Sequence, residues 1–393
     1  MTQKRIGERI AEQRKLAYLT QEQLAAKMDY SVHTVRAVER GRDTPSPAFV
    51  SAAAAALGVE PELLQGTPYY ETLEEDGPLE GLAELRTILA EGAYVRPVEP
   101  PNEGQLRATM SEIETAIRDD RTRRAMAMLP TLVRQLYGAL HATSDEAQKR
   151  RVYGLLCNAY IVAEGACCRL GYTSLTTLVL DRLDWAATHT NDPGFAVRSL
   201  MKRARLLMSH GSTDVAMSLV KQGLGLVVGN TESERVLRGY GHLRGAMVAA
   251  RARNLDLANV HIGEARRIAQ PMHHESDLYT TMFGPGNVEV HACAVELEAG
   301  DPGKAARDGS ALSLPTDMAA PRAGHHWQDN ARAWLLAGQP DEALKSLQRA
   351  RRVAPQQTRL HPNVRETLQG IAAAERRRTD SLGSFARWIG ISI

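Results

Sequence analysis

The chain has little of several things. Its four cysteines, Cys157, Cys167, Cys168 and Cys293, are few for 393 residues and show no Cys-x-x-Cys or Cys/His ligand spacing. That argues against a disulfide framework and against a zinc site, and buried reduced thiols are expected. Adjacent histidines at His273–His274 and His325–His326 point to different helix faces and make poor chelators, so no metal is expected. No stretch approaches the roughly 20 apolar residues of a membrane span. The opening MTQKRIGERIAEQ is charged throughout and lacks the apolar run of a signal peptide, so the expected location is the cytoplasm, without membrane. Catalytic motifs are missing as well: there is no Gly-x-Ser-x-Gly, His-Glu-x-x-His or Walker loop. The stretch KQGLGLVVGN lacks the strand-loop-helix setting of a dinucleotide site. Neither an enzyme nor a cofactor is expected.

Aromatic residues make up only 5% of the chain, while Ala, Leu, Arg and Glu dominate and β-branched runs are scarce. This composition predicts an all-α protein. The length implies two or three domains. The net charge of +2 announces no partner, but it is unevenly spread. Residues 1–42 hold nine Lys/Arg against five Asp/Glu, whereas Glu71 to Glu103 holds nine acids with only Arg86 and Arg96.

Stop signals divide residues 1–66 into five short helices. Ile6, Ile10 and Leu16 share a face of the first; Thr20 caps the second, Ser31 the third, Pro47 opens the fourth and Pro61 the fifth. Residues 67–104 are acidic and broken by Pro68, Pro78, Pro97, Pro100 and Pro101, and they read as a linker carrying one helix. From 105 to 380 the pattern is amphipathic helices with short turns, in five or six pairs. The stretch GHHWQDNARAWLLAGQPDEALKSLQRARRVAP, Gly324 to Pro355, resembles a tetratricopeptide repeat through Trp327, Ala331, Trp334, Gly338, Ala343, Leu347, Ala350 and Pro355. Weaker copies have turns at Gly211, Asn254 and Gly300; from Gly211 to Gly338 the turns lie 43, 46 and 38 residues apart, longer than the ideal 34. Residues 381–393 place Leu382, Phe385, Trp388 and Ile389 on one stripe, expected as a capping helix.

A capped helix, a tight link at Asp29 and Tyr30, and a second capped helix ending Glu-Arg-Gly resemble the helix-turn-helix of the XRE family of phage-repressor-like regulators, over residues 6–66. Periodicity directs Val35 and Val38 at the core and Val32, His33, Arg36 and Ala37 outward. The resemblance implies that these last four read base edges in the major groove. It also implies that Gln21 holds a phosphate, with Thr34, Arg40 and Arg42 as further phosphate ligands. Arg14 and Glu39 match the family's structural pair between the first and third helices. Val32 and Ala37 depart from the polar readers often found there, leaving more to Arg36, His33 and DNA shape.

The expected fold class is thus all-α, an N-terminal five-helix helix-turn-helix domain followed by a tetratricopeptide-like α-solenoid. That build resembles the peptide-sensing regulators of Gram-positive bacteria, and more closely actinobacterial regulators of two parts. The resemblance implies a homodimer on a double-stranded DNA operator and a concave groove for a peptide or small-molecule effector. Polar residues on the first helices of the pairs, Asn158, Glu289, His325, Gln328 and Asn330, are the candidate effector contacts. The alternative is an interaction scaffold whose repeats dock another protein, with DNA binding secondary.

Overall fold

A computed structural model describes residues 4–67, 79–374 and 380–391, and these are helical apart from turns and one isolated antiparallel bridge between Ser276 and Phe283. Residues 1–3, the linker's 68–78 with Pro68 and Pro78, 375–379 and 392–393 lie outside the described residues. No helix among the described residues is long and apolar enough to cross a membrane.

The headpiece comprises α1 (Ile6–Leu16), α2 (Gln21–Met28), α3 (Val32–Glu39), α4 (Pro47–Leu57) and α5 (Pro61–Gln65). Its ends follow from side-chain chemistry. Thr20 and Gln23 form a reciprocal capping box, and the Ser31 and Ser46 hydroxyls accept the Thr34 and Phe49 amides. Ile6, Ile10, Leu24, Val35, Val38, Phe49 and Leu64 fill the core. Leu16 does not join them and is 65% exposed. Steps of four residues carry the buried stripe from Ile6 through Ile10 to Arg14, so Leu16 falls on the solvent side. At Gly7 the α1 backbone crosses α3 so closely that a Cβ there would stand 2.0 Å from the Val38 carbonyl oxygen.

Beyond the headpiece, α6 (Leu82–Glu91) is packed rather than spanning a gap. Leu82, Leu85, Ile88 and Leu89 are buried in the same cluster as Leu132, Val133 and Leu136. Six antiparallel pairs follow: α7 (Glu103–Arg118) with α8 (Thr122–Ala142), α9 (Glu146–Arg169) with α10 (Thr173–Ala187), and α11 (Pro193–Ser209) with α12 (Thr213–Gly225). Then come α13 (Glu232–Arg251) with α14 (Leu255–Ala269), α15 (Pro285–Ala299) with α16 (Pro302–Ala311), and α17 (Ala320–Leu336) with α18 (Pro340–Val353). Each pair turns on one residue of positive φ: Asp120, Gly171, Gly211, Arg253, Gly300 and Gly338 in order. In the fourth pair the left-handed residue is Arg253, while Asn254 caps the next helix. The buried Ala204, Ala216, Ala246, Ala258, Ala305, Ala331 and Ala343 let paired helices approach.

Short α19 (Pro355–Leu360) leads to α20 (Pro362–Ala374), and α21 (Asp380–Trp388) buries Leu382 and Phe385 among Leu347, Val364 and Leu368. The superhelix closes on itself. Asp120, at the first turn, accepts the Gln356 amide at 2.6 Å and the Gln357 amide at 3.1 Å from α19. Arg118 reaches the Asp317 carbonyl at 2.7 Å.

The headpiece is seated on this ring at several places. The Ser51 hydroxyl donates to the Ser209 carbonyl at 2.7 Å, the Ile6 amide to the Glu366 carboxylate at 2.9 Å, and the Arg253 guanidinium lies 4.6 Å from the Tyr30 ring centre.

Candidate nucleic-acid interface and effector groove

The third helix opens on Ser31, which takes the Thr34 amide at 3.0 Å and shares a hydroxyl contact with Thr34 at 2.8 Å. Val35 and Val38 point into the core, as their spacing requires. His33 and Arg36 project to solvent, Val32 and Thr34 are half-buried, and Arg40 and Arg42 are exposed just past the helix end. Four groups able to donate to DNA, His33, Arg36, Arg40 and Arg42, therefore stand on or beside one short helix that is free on its outer side.

Ala37 is not among them. It is buried, so its methyl group is not on the open side of the helix; past it the chain turns at Gly41, and the amides of Arg42 and Asp43 bond the Ala37 carbonyl at 2.8 and 3.3 Å. The expectation that Ala37 meets bases is corrected by its burial.

Beneath this surface lies a connected polar layer. Arg14 grips Glu39 through Nε at 2.6 Å and Nη2 at 2.9 Å, and its Nη1 donates to the Leu19 carbonyl at 2.8 Å. The hydrogen bond to Glu39 raises the Arg14 pKa despite burial. Gln21 donates to Glu39 at 2.6 Å and accepts from Arg36 Nε at 3.3 Å. Arg36 also pairs with Glu22, with both side chains about half exposed. Glu22 sits at the start of α2, where its own amide, the Thr20 hydroxyl and Arg36 hold its pKa down. Sequence reasoning missed this role of Glu22. Its one signal was an acid one position past Gln21, on the helix that faces α3.

Residues 5–65 match the family described as a helix-turn-helix domain. The headpiece is a helix-turn-helix domain. No curated protein matches the chain. Over its length it is similar to PlcR of Bacillus thuringiensis, solved in complex with the peptide PapR7 and DNA, at 12% identity and a TM-score of 0.31, over 95% of this chain and 100% of that one.

Behind the helix-turn-helix domain, the residues expected to meet an effector divide. Asn330 is buried between helices: its amide donates to the Ala306 carbonyl at 2.9 Å, and its oxygen accepts from Ser346 at 2.9 Å and Ser310 at 3.2 Å. Gln328 is buried and donates to Thr358 at 3.1 Å. Both hold the repeats together, which corrects their assignment to the groove. Glu289 spends its carboxylate on Arg266, at 2.8 and 2.7 Å. Asn158 is half-buried. His325 is a third exposed, lies 3.4 Å from Asp329 and faces His361; burial outweighs other influences and takes its pKa down to about 3, so it is neutral.

Burial pushes the Cys167 thiol up to about 12 and the Cys293 thiol up to about 11. Cys168 receives the Arg205 guanidinium at 2.6 Å.

Sequence reasoning also missed the cations of the inner face. Arg198, Lys202 and Arg205 follow one another on α11, Tyr240 and Arg244 on α13, and Arg322 on α17, all first helices of their pairs. The steps of four and three from Arg198 to Arg205, and of four from Tyr240 to Arg244, were the available signal.

Proposed function

We propose that the chain is a sequence-specific DNA-binding transcriptional regulator, working as a homodimer on a two-fold operator, whose tetratricopeptide-like repeats sense a peptide or small molecule. The helix-turn-helix domain is the XRE type, residues 1–66; residues 67–104 connect it to the repeats of 105–380, and 381–393 cap them. The observation that carries this reading is the capped third helix with His33 and Arg36 outward and Arg40 and Arg42 beside it. Arg36 suits a guanine edge, since a guanidinium can give two parallel hydrogen bonds to O6 and N7, worth about 1–3 kcal/mol of discrimination. His33 suits a guanine or a phosphate, and Val32 a thymine methyl. Gln21, Thr34, Arg40 and Arg42 take phosphates and set register. A single domain with so few base contacts gains little specificity, so two half-sites about a helical turn or a multiple apart are required.

Selection of bound sequences from a random duplex pool by the purified protein tests this. A two-fold motif is expected, blurred by Arg36→Ala, whereas Arg42→Ala weakens all sequences alike and lowers the salt slope by about one. No enrichment at moderate salt would leave the repeats, docking a protein partner, as the carrier of function.

A further inference from the structure

Taking a charge out of water is expensive unless it is paired, so buried and half-buried cations without acids stand out. On the inner face of the ring, Glu164 is fully buried and is shared by Lys202 and Arg205. That trio is settled. Three arginines beside it are not: among the described residues no carboxylate lies within ion-pair distance of Arg198, Arg244 or Arg322. Arg198 is 3% exposed; it stacks 4.4 Å from the Tyr240 ring centre and gives Nη2 to the Thr280 carbonyl at 3.2 Å, while its Nε and Nη1 find no acceptor. Arg244 leans on the same ring from 5.8 Å, donates to the Tyr240 hydroxyl at 3.3 Å and leaves Nε without an acceptor. The Arg322 side chain makes no hydrogen bond within the described protein, and burial together with the nearby Arg244 lowers its pKa.

The neighbouring acids stand beyond ion-pair distance: Glu275 takes the Gly286 amide at 2.7 Å and Asp329 lies 3.4 Å from His325, and both act on Arg322 only at longer range. The surplus of positive charge is felt by Tyr240: burial alone would raise its hydroxyl, yet Arg198, Arg244 and Lys202 bring it down to about 6. The segment that meets Arg198 is itself strained, with Tyr279, Thr280 and Met282 all at positive φ without being glycine.

We propose that Arg198 and Arg244, which flank Tyr240 on α11 and α13, together with Arg322 on α17, form a binding site for an oxyanion, the phosphate or carboxylate group of a small effector. The planar guanidinium fork matches either group, and three arginines with no carboxylate within ion-pair distance leave an excess of positive charge for an anion to balance. The site deepens the effector reading above, but its test does not depend on DNA.

The full-length protein is melted in inorganic phosphate, in succinate and in sodium chloride at matched ionic strength. Phosphate or succinate is expected to raise Tm by about 2 °C or more over chloride, and the better of the two names the group. Arg322→Gln and Arg244→Gln abolish that gain, while Arg267→Gln on an outer face keeps it. Because the free site holds unpaired charge, Arg322→Gln melts no lower than wild type without anion; a structural arginine would lower it. Absorbance at 295 nm gives a second readout, since a bound anion raises the pH at which Tyr240 ionises. No gain over chloride with either anion, or a gain retained in both glutamine variants, overturns the site. Anion binding that persists in a protein selecting no DNA sequence keeps the site and removes the regulator reading.

Discussion

Glu39 is held from three sides, by two bonds from Arg14 and one from Gln21, with almost none of it open to water. Arg14→Ala therefore strands a buried carboxylate and is expected to cost about 3–5 kcal/mol, read as a fall in the urea midpoint of the headpiece. A truncation at the exposed Arg40 should leave that midpoint unchanged. On the proposed reading of Arg36, Glu22 acts in the opposite sense, because it competes with DNA for that guanidinium. Glu22→Gln removes an acid from the DNA-facing side and frees the guanidinium; affinity for a random duplex is expected to rise roughly 2- to 5-fold at low salt, by fluorescence anisotropy, and the gain to shrink as salt is added. The outward side chains of α3 were legible in the sequence, since a capped helix with two core valines leaves few choices for the rest. Ala37 was not, because its burial depends on packing that the spacing of α3 alone does not show. Asn330 and Gln328 were not either: a polar residue on a repeat helix has the same spacing whether it faces a groove or a neighbouring helix.

Among elements, the crossing of α1 over α3 is the tightest point of the helix-turn-helix domain. At Gly7 a methyl group would meet backbone, which cannot swing aside as a side chain can. Gly7→Ala is expected to cost about 2–3 kcal/mol or more and to weaken DNA binding with it, whereas Gly58→Ala, with open space around its position, should show only the smaller penalty of its left-handed φ. Circular dichroism melts of the two variants give the comparison. The helix pairs were largely readable, because alanines at close-approach positions and left-handed turn residues repeat together. The first turn escaped, since Asp120 rather than glycine holds the left-handed conformation there. Likewise α6 read as part of a linker. Its four buried residues carry a helical stripe, but only the surfaces of α8 and α10 make it a packed element.

For the molecule as a whole, the contact of the first pair with α19 turns an array of neighbours into a ring. Asp120 is its clasp, and burial lifts its pKa from an ordinary 3.8 to about 6, against the pull of the Gln356 and Gln357 amides and Arg169. A carboxyl whose pKa is raised on folding favours the native state when protonated, so its contribution is present below pH 4 and is lost as pH rises from about 4 to 6. The loss is on the order of 3 kcal/mol, following from the size of the shift. Asp120→Asn cannot titrate. The stability of the variant relative to wild type, from urea midpoints, is therefore expected to climb between pH 4 and 6 and to level off above; a difference independent of pH would show that Asp120 is not the titrating clasp.

The bond from Ile6 to Glu366 joins positions 360 residues apart. At about 5–20 residues per second, roughly 20–70 s of synthesis separate the two ends of that bond. The helix-turn-helix domain has a core of its own and can fold during that interval, before its seat at Glu366 exists. On a nascent chain the helix-turn-helix domain comes first, its seats at Ser209 and Arg253 follow, and the one at Glu366 comes last, so a chain broken off before Ser209 carries the headpiece without any of them.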